Sequence, residues 1–217
     1  QVQRSLYWWN KVATYAQRKP SPLNGFDLFN YMALIVCARA RDYAEITFHK
    51  FADELEAKDA AGQYAFGAAE NEKHRVTWEG IAVWTYLGAT FKGLKDVGAV
   101  MTGSAYPGRW GLVYTPGDLE SMAEAYTNVY INTCGSNHYE EFYKVVSNAK
   151  SDGMVLHLNR SCKLMGLLNN EGAEDVNAKM GIPFVSFDGD QTDPNVFSQA
   201  QYETRVQALS EMMDNNN

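Results

Sequence analysis

A cysteine stands where an apolar stretch of the chain gives way to an amphipathic one. Residues 154–158 form a short apolar run, Asn159-Arg-Ser-Cys162 follows it, and a helix-like pattern continues to Met180. The amide groups in the first turn of a helix favour negative charge, which lowers the pKa of a cysteine there and suits it to bind a metal as a thiolate. Free cysteine also packs often as a small apolar residue. The spacing alone therefore leaves a ligand role and a packing role open for Cys162.

Basic and imidazole side chains near this cysteine could serve the same chemistry. Arg160 and Lys163 flank it, and their charges could hold a phosphate, carboxylate or carbonyl oxygen. Lys163 could equally be a surface residue, whereas Arg160, at a strand end, is expected at the cleft. His157 lies inside the predicted strand, where a hydrogen-bonded core histidine is more common than an acid–base group. His138 lies in a polar loop, where the sequence allows either a core role or an acid–base role.

Two further groups of side chains follow predicted strands. Tyr106, Arg109 and Trp110 form an aromatic and basic loop, which could stack on a ligand or belong to a subunit interface. Three aspartates at 188–193 lack the later glutamate of a calcium loop, so we expect them to cap turns. Asp190 is the best placed of them to support a site.

The three cysteines, Cys37, Cys134 and Cys162, form neither a CxxC pair nor a closed zinc set. An odd number also argues against a disulfide framework. Cys37 lies on the apolar face of a predicted helix and is expected in the core. Cys134 is expected to pack rather than to bind a metal.

The composition narrows the classes of protein. With a net charge of −7 and a pI near 5.1, the chain lacks the basic balance that a nucleic-acid binder needs. The apolar run at 32–38 is far shorter than the roughly 20 residues that cross a bilayer, so we expect a soluble, cytoplasmic protein without membrane contact. The chain opens at Gln1 inside a helix-like segment, and we expect a further N-terminal portion.

Apolar runs alternate with amphipathic segments from His74 onward, which is typical of a parallel α/β sheet. Strands are predicted at 75–78, 99–102, 154–158 and 183–187. Helices are predicted at 3–17, 28–57, 85–97, 119–130, 139–149, 162–180 and up to 213, with a helix or connector at 59–73 and a loop at 103–110. The sequence predicts an α/β fold with an open parallel sheet of about four strands flanked by helices, flavodoxin-like or Rossmann-like. It occupies 74–217 and is preceded by a helical linker at 1–73.

Several segments together resemble the 2-hydroxyacyl-CoA dehydratase family, and above all its α subunits that act on (R)-2-hydroxyglutaryl-CoA. The resemblance covers nearly the whole chain, and the matching segments are 152–163, 181–194 and 197–209, with 19–25 and 75–80 upstream. Family subunits are about twice this length, so the chain resembles their C-terminal half.

The resemblance implies a lyase that removes water from a 2-hydroxyacyl-CoA thioester by a ketyl radical mechanism, as in anaerobic amino-acid fermentation. It implies a [4Fe-4S] cluster held by three cysteines, of which Cys162 is the one in this half. Arg160, Lys163 and Tyr106 become candidates to bind the substrate, and Arg160 and His138 candidates for catalysis. The implied partners are a homologous second subunit, forming a heterodimer, and an ATP-dependent iron–sulfur activator protein.

Three alternatives stay open. A benzoyl-CoA reductase-type subunit shares the electron-injection apparatus, and a non-catalytic partner subunit could relay electrons or serve in assembly only. A flavin would suit the fold, but the sequence contains no glycine-rich phosphate loop to support it.

Overall fold

The structure is a computed structural model that describes residues 1–129, 132 and 134–216. Four parallel strands form one sheet in the order β2-β1-β3-β4. Their bounds are β1 (His74–Glu79), β2 (Ala99–Gly103), β3 (Gly153–Asn159) and β4 (Phe184–Gly189). The edge strand β2 and the inner strands β1 and β3 are almost wholly buried, as expected for strands covered by helices on both faces. The predicted α/β fold is confirmed.

Helices precede the sheet and flank it. Their bounds are α1 (Val2–Tyr15), α2 (Phe26–Cys37), α3 (Asp42–Ala60), α4 (Leu87–Asp96), α5 (Ala105–Gly108), α6 (Leu119–Thr127), α7 (Gly135–Ala149), α8 (Lys163–Met180) and α9 (Gln199–Asn216). No helix in the described part of the chain is both long and apolar enough to span a bilayer.

The single helix predicted at 28–57 is wrong, because the chain turns between α2 and α3. Ala38 leaves the helical region, the Arg41 amide donates to the Ala38 carbonyl, and Arg41 itself is extended before α3 begins. Apolar residues continue at helical spacing across the turn, so the sequence pattern does not reveal it. The core position predicted for Cys37 is also wrong: this residue ends α2 and is exposed.

Other element bounds differ less. The loop predicted at 103–110 contains the short helix α5, and α7 begins four residues before the predicted start at 139. The segment 59–73 is a connector with a 3₁₀ turn at Ala69–Asn71 after α3 ends. Asp118 caps α6 by accepting from the amides of Glu120 and Ser121, both at 3.0 Å, while the predicted end at Tyr130 lies outside the described residues.

Three clusters of buried side chains hold the layers together. One lies between the sheet and α2, α4 and α9, with Trp78 and Tyr202 among its members, and one lies between the sheet and α7 and α8 around Phe142. The third joins α1, α2 and α3 around Trp9 and Phe48. The division into 1–73 and 74–217 stays a prediction.

Candidate functional site

Cys162 lies at the carboxyl edge of the sheet, between β3 and α8. It is the residue that precedes the first turn of α8, and its side chain is half-buried. The side chain packs against Ile81, which follows β1, and Ala105, which follows β2, beside Tyr106. Three strand ends therefore converge on the cysteine, as the carboxyl edge of a parallel sheet allows.

The turn that carries Cys162 is held from β4 by Asp190. This buried carboxylate accepts from the Ser161 hydroxyl and, at 2.9 Å, from the Ser161 amide. It also accepts from the amides of Thr192 at 2.9 Å and Asp193 at 3.0 Å. These bonds, the Ser161 hydroxyl first, hold the pKa of Asp190 well below its usual range. Asp190 thus supports the turn, as its position after the last strand led us to expect.

Arg160 and Lys163 lie on either side of Cys162 and face solvent. The Arg160 Nε is 3.4 Å from a carboxylate oxygen of Asp188, and both side chains are more than half exposed. Such an exposed pair contributes little to stability. Arg160 and Lys163 are therefore both accessible to an anionic ligand. Their role in binding substrate stays a prediction.

Tyr106 is the member of the aromatic loop that reaches the cysteine. Its side chain packs in the same cluster as Cys162, and burial, with a smaller contribution from the charge of Cys162, raises the pKa of Tyr106. Arg109 points elsewhere: its guanidinium donates to the Asn128 carbonyl at 2.9 Å and lies 3.5 Å from Glu141. Trp110 packs on the cluster of α1–α3.

Glu79, at the end of β1, is a residue that the sequence reasoning missed. It is fully buried, one carboxyl oxygen accepts from the Ala105 amide at 2.8 Å, and the other has no hydrogen-bond partner among the described residues. Burial raises the pKa of Glu79 to about 8, so the carboxyl group is largely neutral at physiological pH. The available signal was an acidic residue directly after Trp78, at the end of a predicted strand, and immediately before a glycine.

Gly80 fixes the direction in which the chain leaves β1. Its φ is +100°, and a Cβ at this position would lie 2.5 Å from the carbonyl oxygen of His157. Glycine alone tolerates both the positive φ and the close approach of β3. The Gly80 turn is therefore fixed against β3, while the Glu79 side chain is held by the Ala105 amide after β2.

The sequence allowed either a core role or an acid–base role for His138 and His157. Both side chains are buried. His138 lies in the first turn of α7, and burial, aided by the positive charge of Arg109, lowers its pKa. His157 donates from Nδ1 to the Ile81 carbonyl and stacks on Phe187 with ring centroids 5.2 Å apart. The prediction of a hydrogen-bonded core residue is confirmed for His157.

Cys134 does not pack as predicted, because it is exposed immediately before α7. Its sulfur lies 3.2 Å from the Ser136 hydroxyl, and this contact lowers the pKa of Cys134. Among the described residues, no three His, Cys, Asp or Glu side chains converge on a possible metal position. Within that part, the chain offers the sheet edge one cysteine, Cys162, in a supported and half-buried position.

Comparison with known proteins identifies the family. A family model described as 2-hydroxyglutaryl-CoA dehydratase, D-component, matches residues 1–213. The chain is similar to lactoyl-CoA dehydratase subunit alpha of Anaerotignum propionicum, with 60% identity over 218 residues, which cover 100% of this chain and 51% of that protein. It is 41% identical over 207 residues to the (R)-2-hydroxyisocaproyl-CoA dehydratase alpha subunit of Clostridioides difficile, covering 95% and 50% of the two chains. It is also 41% identical over 213 residues to (R)-2-hydroxyglutaryl-CoA dehydratase, subunit alpha, of Acidaminococcus fermentans, covering 98% and 44%.

The match has two consequences. The chain spans about half the length of the curated relatives it matches. The family model nevertheless covers residues 1–213, which include the helical segment, the sheet and most of α9. The chain therefore belongs to the 2-hydroxyglutaryl-CoA dehydratase, D-component, family.

Proposed function

We propose that this chain is about half of the α subunit of a 2-hydroxyacyl-CoA dehydratase, a lyase that converts an (R)-2-hydroxyacyl-CoA into the 2,3-enoyl-CoA and water. The observation that carries the proposal is the family match over residues 1–213. The position of Cys162 supports it, because α/β enzymes gather their chemistry at the carboxyl edge of the sheet.

We assign Cys162 as one of three cysteine ligands of a [4Fe-4S] cluster, with the other two outside this chain. The fit rests on a half-buried thiol before the first turn of an 18-residue helix, since such clusters are held by thiolates and helix N-termini favour negative charge. The described residues bring no complete ligand set together, so this half would supply part of one. When bound, a cluster with three cysteine ligands supplies one-electron chemistry and an open, Lewis-acidic iron position.

The proposed reaction is the loss of one water through radicals of the substrate. One electron enters the thioester carbonyl to give a ketyl radical anion, which expels the α-hydroxyl group as hydroxide. The resulting enoxy radical loses a β-proton and returns the electron. The electron would come from an ATP-dependent iron–sulfur activator protein, and a homologous second subunit would complete the enzyme.

The side chains around Cys162 would bind and orient the thioester. Arg160 and Lys163 are exposed cations that can hold its phosphate or carbonyl oxygens, and Tyr106 forms the wall beside the cysteine. His138 is a candidate to accept a proton, because its lowered pKa keeps the imidazole neutral at physiological pH.

Lactoyl-CoA is the first substrate to test, since the relative at 60% identity is named for it. 2-Hydroxyglutaryl-CoA is the second, from a relative at 41% identity. The dehydratase names of these relatives favour water removal over the ring reduction of a benzoyl-CoA reductase.

The test is a dehydratase assay on the full-length protein with its partner subunit and activator, under anoxic conditions. We expect enoyl-CoA to form from (R)-lactoyl-CoA, and Arg160→Ala to raise KM by roughly tenfold, the value of one charge-assisted hydrogen bond. Arg205→Ala removes an equally exposed arginine from α9 and should leave KM unchanged. Absence of enoyl-CoA from every 2-hydroxyacyl-CoA would contradict the proposed activity.

A further inference from the structure

A cavity of about 830 Å³ lies on the side of the molecule where α2, α3 and α4 meet. It is bounded by the start of α2, the end of α3, the connector at 62–68 and the first turn of α4. The size is that of a site for a small molecule or a cofactor. The residues around Cys162 do not line it, so it is separate from the candidate site.

Two polar side chains at the start of α2 line the cavity. Asn24 is 6% exposed, and its Oδ1 accepts from the Phe26 amide at 3.1 Å. The Asn24 amide nitrogen donates to no described residue. The Asp27 carboxylate likewise has no hydrogen bond or ion pair within the described chain, and burial raises its pKa. A donor and an acceptor that are left without protein partners inside a cavity are suited to a ligand that carries both.

The rest of the cavity wall is aromatic, and a glycine in it leaves open space for a ligand. Phe26 and Phe91 line the cavity with ring centroids 5.9 Å apart. Gly88, in the first turn of α4, also lines it, and a Cβ there would meet no atom within 4 Å. Glycine in a helix is about 1 kcal/mol less favourable than alanine, and packing at this position does not require it. Gly88 therefore keeps open space that a side chain would fill.

We propose that this cavity binds the adenine end of a CoA thioester. The assignment rests on the proposed function, which supplies CoA as the ligand. Adenine is planar, donates from its exocyclic amino group and accepts at its ring nitrogens, which complements the Asp27 carboxylate and the Asn24 amide. Its faces suit the phenylalanine rings. Lys58 in the same wall makes an exposed pair with Glu54, which is weak enough for the cation to bind a phosphate as well.

The topology allows one ligand to reach both places. Gly88 begins the helix that follows β1, and Cys162 precedes the helix that follows β3. These strands are neighbours in the sheet, about 5 Å apart, and their carboxyl ends share one edge. α4 and α8 cover opposite faces of the sheet, so the ligand would cross this edge. The long, flexible pantetheine arm of CoA separates the adenine from the thioester and would let the base bind in the cavity while the acyl group lies beside Cys162.

The experiment is titration calorimetry of the full-length protein with CoA and with adenosine 3′,5′-bisphosphate, the nucleotide end of CoA. Gly88→Leu should fill the cavity and weaken both ligands by at least tenfold. Lys95→Leu adds the same side chain to an exposed position of α4 and should leave both dissociation constants unchanged. Tm should not fall in Gly88→Leu, because leucine is the better helix former. Asp27→Ala, at an unpaired side chain, should weaken binding in a variant that folds normally.

Three other outcomes would contradict the assignment of this cavity to the adenine end of CoA. Unchanged affinities in Gly88→Leu and Asp27→Ala would place the nucleotide elsewhere, while the dehydratase activity would still stand on its own assay. Tighter binding of ADP than of the bisphosphate would mean that the cavity serves a free nucleotide rather than CoA. If the unaltered protein binds neither CoA nor the bisphosphate, both the cavity assignment and the acyl-CoA substrate fail.

Discussion

Glu79 carries a carboxyl group whose pKa is raised far above its ordinary value. A carboxyl group that is buried without a cation in hydrogen-bond contact keeps its proton, because the charged form would lose its hydration. In this neutral form Glu79 accepts from the amide that begins α5 and so helps to place Tyr106 beside Cys162. The group contributes to the site as a fixed neutral acid rather than as a charge.

The raised pKa of Glu79 makes folding depend on pH. The folded chain holds a proton up to about pH 8, whereas the unfolded chain releases it near pH 4.5. Stability should therefore fall as pH rises through this interval, by at most about 1.4 kcal/mol per pH unit. Glu79→Gln keeps a neutral acceptor and should flatten that slope, becoming more stable than the parent at the alkaline end. Urea unfolding of the 217-residue chain across the interval measures it.

The control for this change is Glu70→Gln, which alters an exposed glutamate in the connector before β1. Its pH profile should coincide with that of the parent chain. Parallel profiles for the parent and for Glu79→Gln would show that Glu79 is ionised in the folded state.

At the scale of elements, Arg75 joins the helical segment to the sheet. Its buried guanidinium donates to the carbonyls of Ala16 at 3.1 Å, Arg18 at 2.9 Å and Ala149 at 3.0 Å. It also pairs with the buried carboxylate of Glu72. One side chain in β1 thus satisfies carbonyls that follow α1 and end α7, and it fixes both elements against the sheet.

Substitution of Arg75 should strongly lower the stability of the folded chain. Arg75→Met leaves the Glu72 carboxylate buried without its cation and should lower the free energy of unfolding by about 3–5 kcal/mol. Arg4→Met breaks an exposed pair with Glu45 and should cost about 0–1 kcal/mol. Chemical denaturation of the two variants makes the comparison. Equal, small losses would mean that Arg75 does not link the two regions.

The elements differ in how far the sequence determines them. The strands of the sheet were predictable, because β2, β3 and β4 are largely apolar runs bounded by turn residues and β1 alternates apolar with polar residues before a glycine. The break between α2 and α3 was not, since neither glycine nor proline marks it and the apolar spacing continues through it. The exposure of Cys37 follows from that missed break. At the site, the position of Cys162 between β3 and α8 was predictable from a strand that leads into a helix, whereas the burial of Glu79 depends on the packing of α5 and β3 around it.

Across the whole molecule, the helical segment and the sheet share a core. The Phe26 ring of α2 lies 5.3 Å from the Trp78 ring of β1 and 5.9 Å from the Phe91 ring of α4. Phe29 belongs to the same cluster. Because these rings belong to both regions, neither region can lose its packing without exposing apolar surface of the other.

This shared core predicts one cooperative transition for the 217-residue chain. Unfolding followed by far-UV circular dichroism and by tryptophan fluorescence should give coincident curves. Phe26→Ala should lower the stability by about 3–5 kcal/mol and shift both curves together. Two separate transitions, only one of them moved by Phe26→Ala, would instead show that 1–73 and 74–217 unfold independently.

The whole proposed enzyme depends on Cys162, which we propose supplies a thiolate to an iron–sulfur cluster. The most direct measurement is the content of iron and acid-labile sulfide in the full-length protein, purified with its partner subunit under anoxic conditions. Cys162→Ser should lose most of both, whereas Cys37→Ser and Cys134→Ser, which alter exposed cysteines, should keep them. A cluster that is retained in Cys162→Ser would mean that Cys162 is not a ligand, and no cluster in the unaltered protein would mean that the proposed iron–sulfur site does not exist.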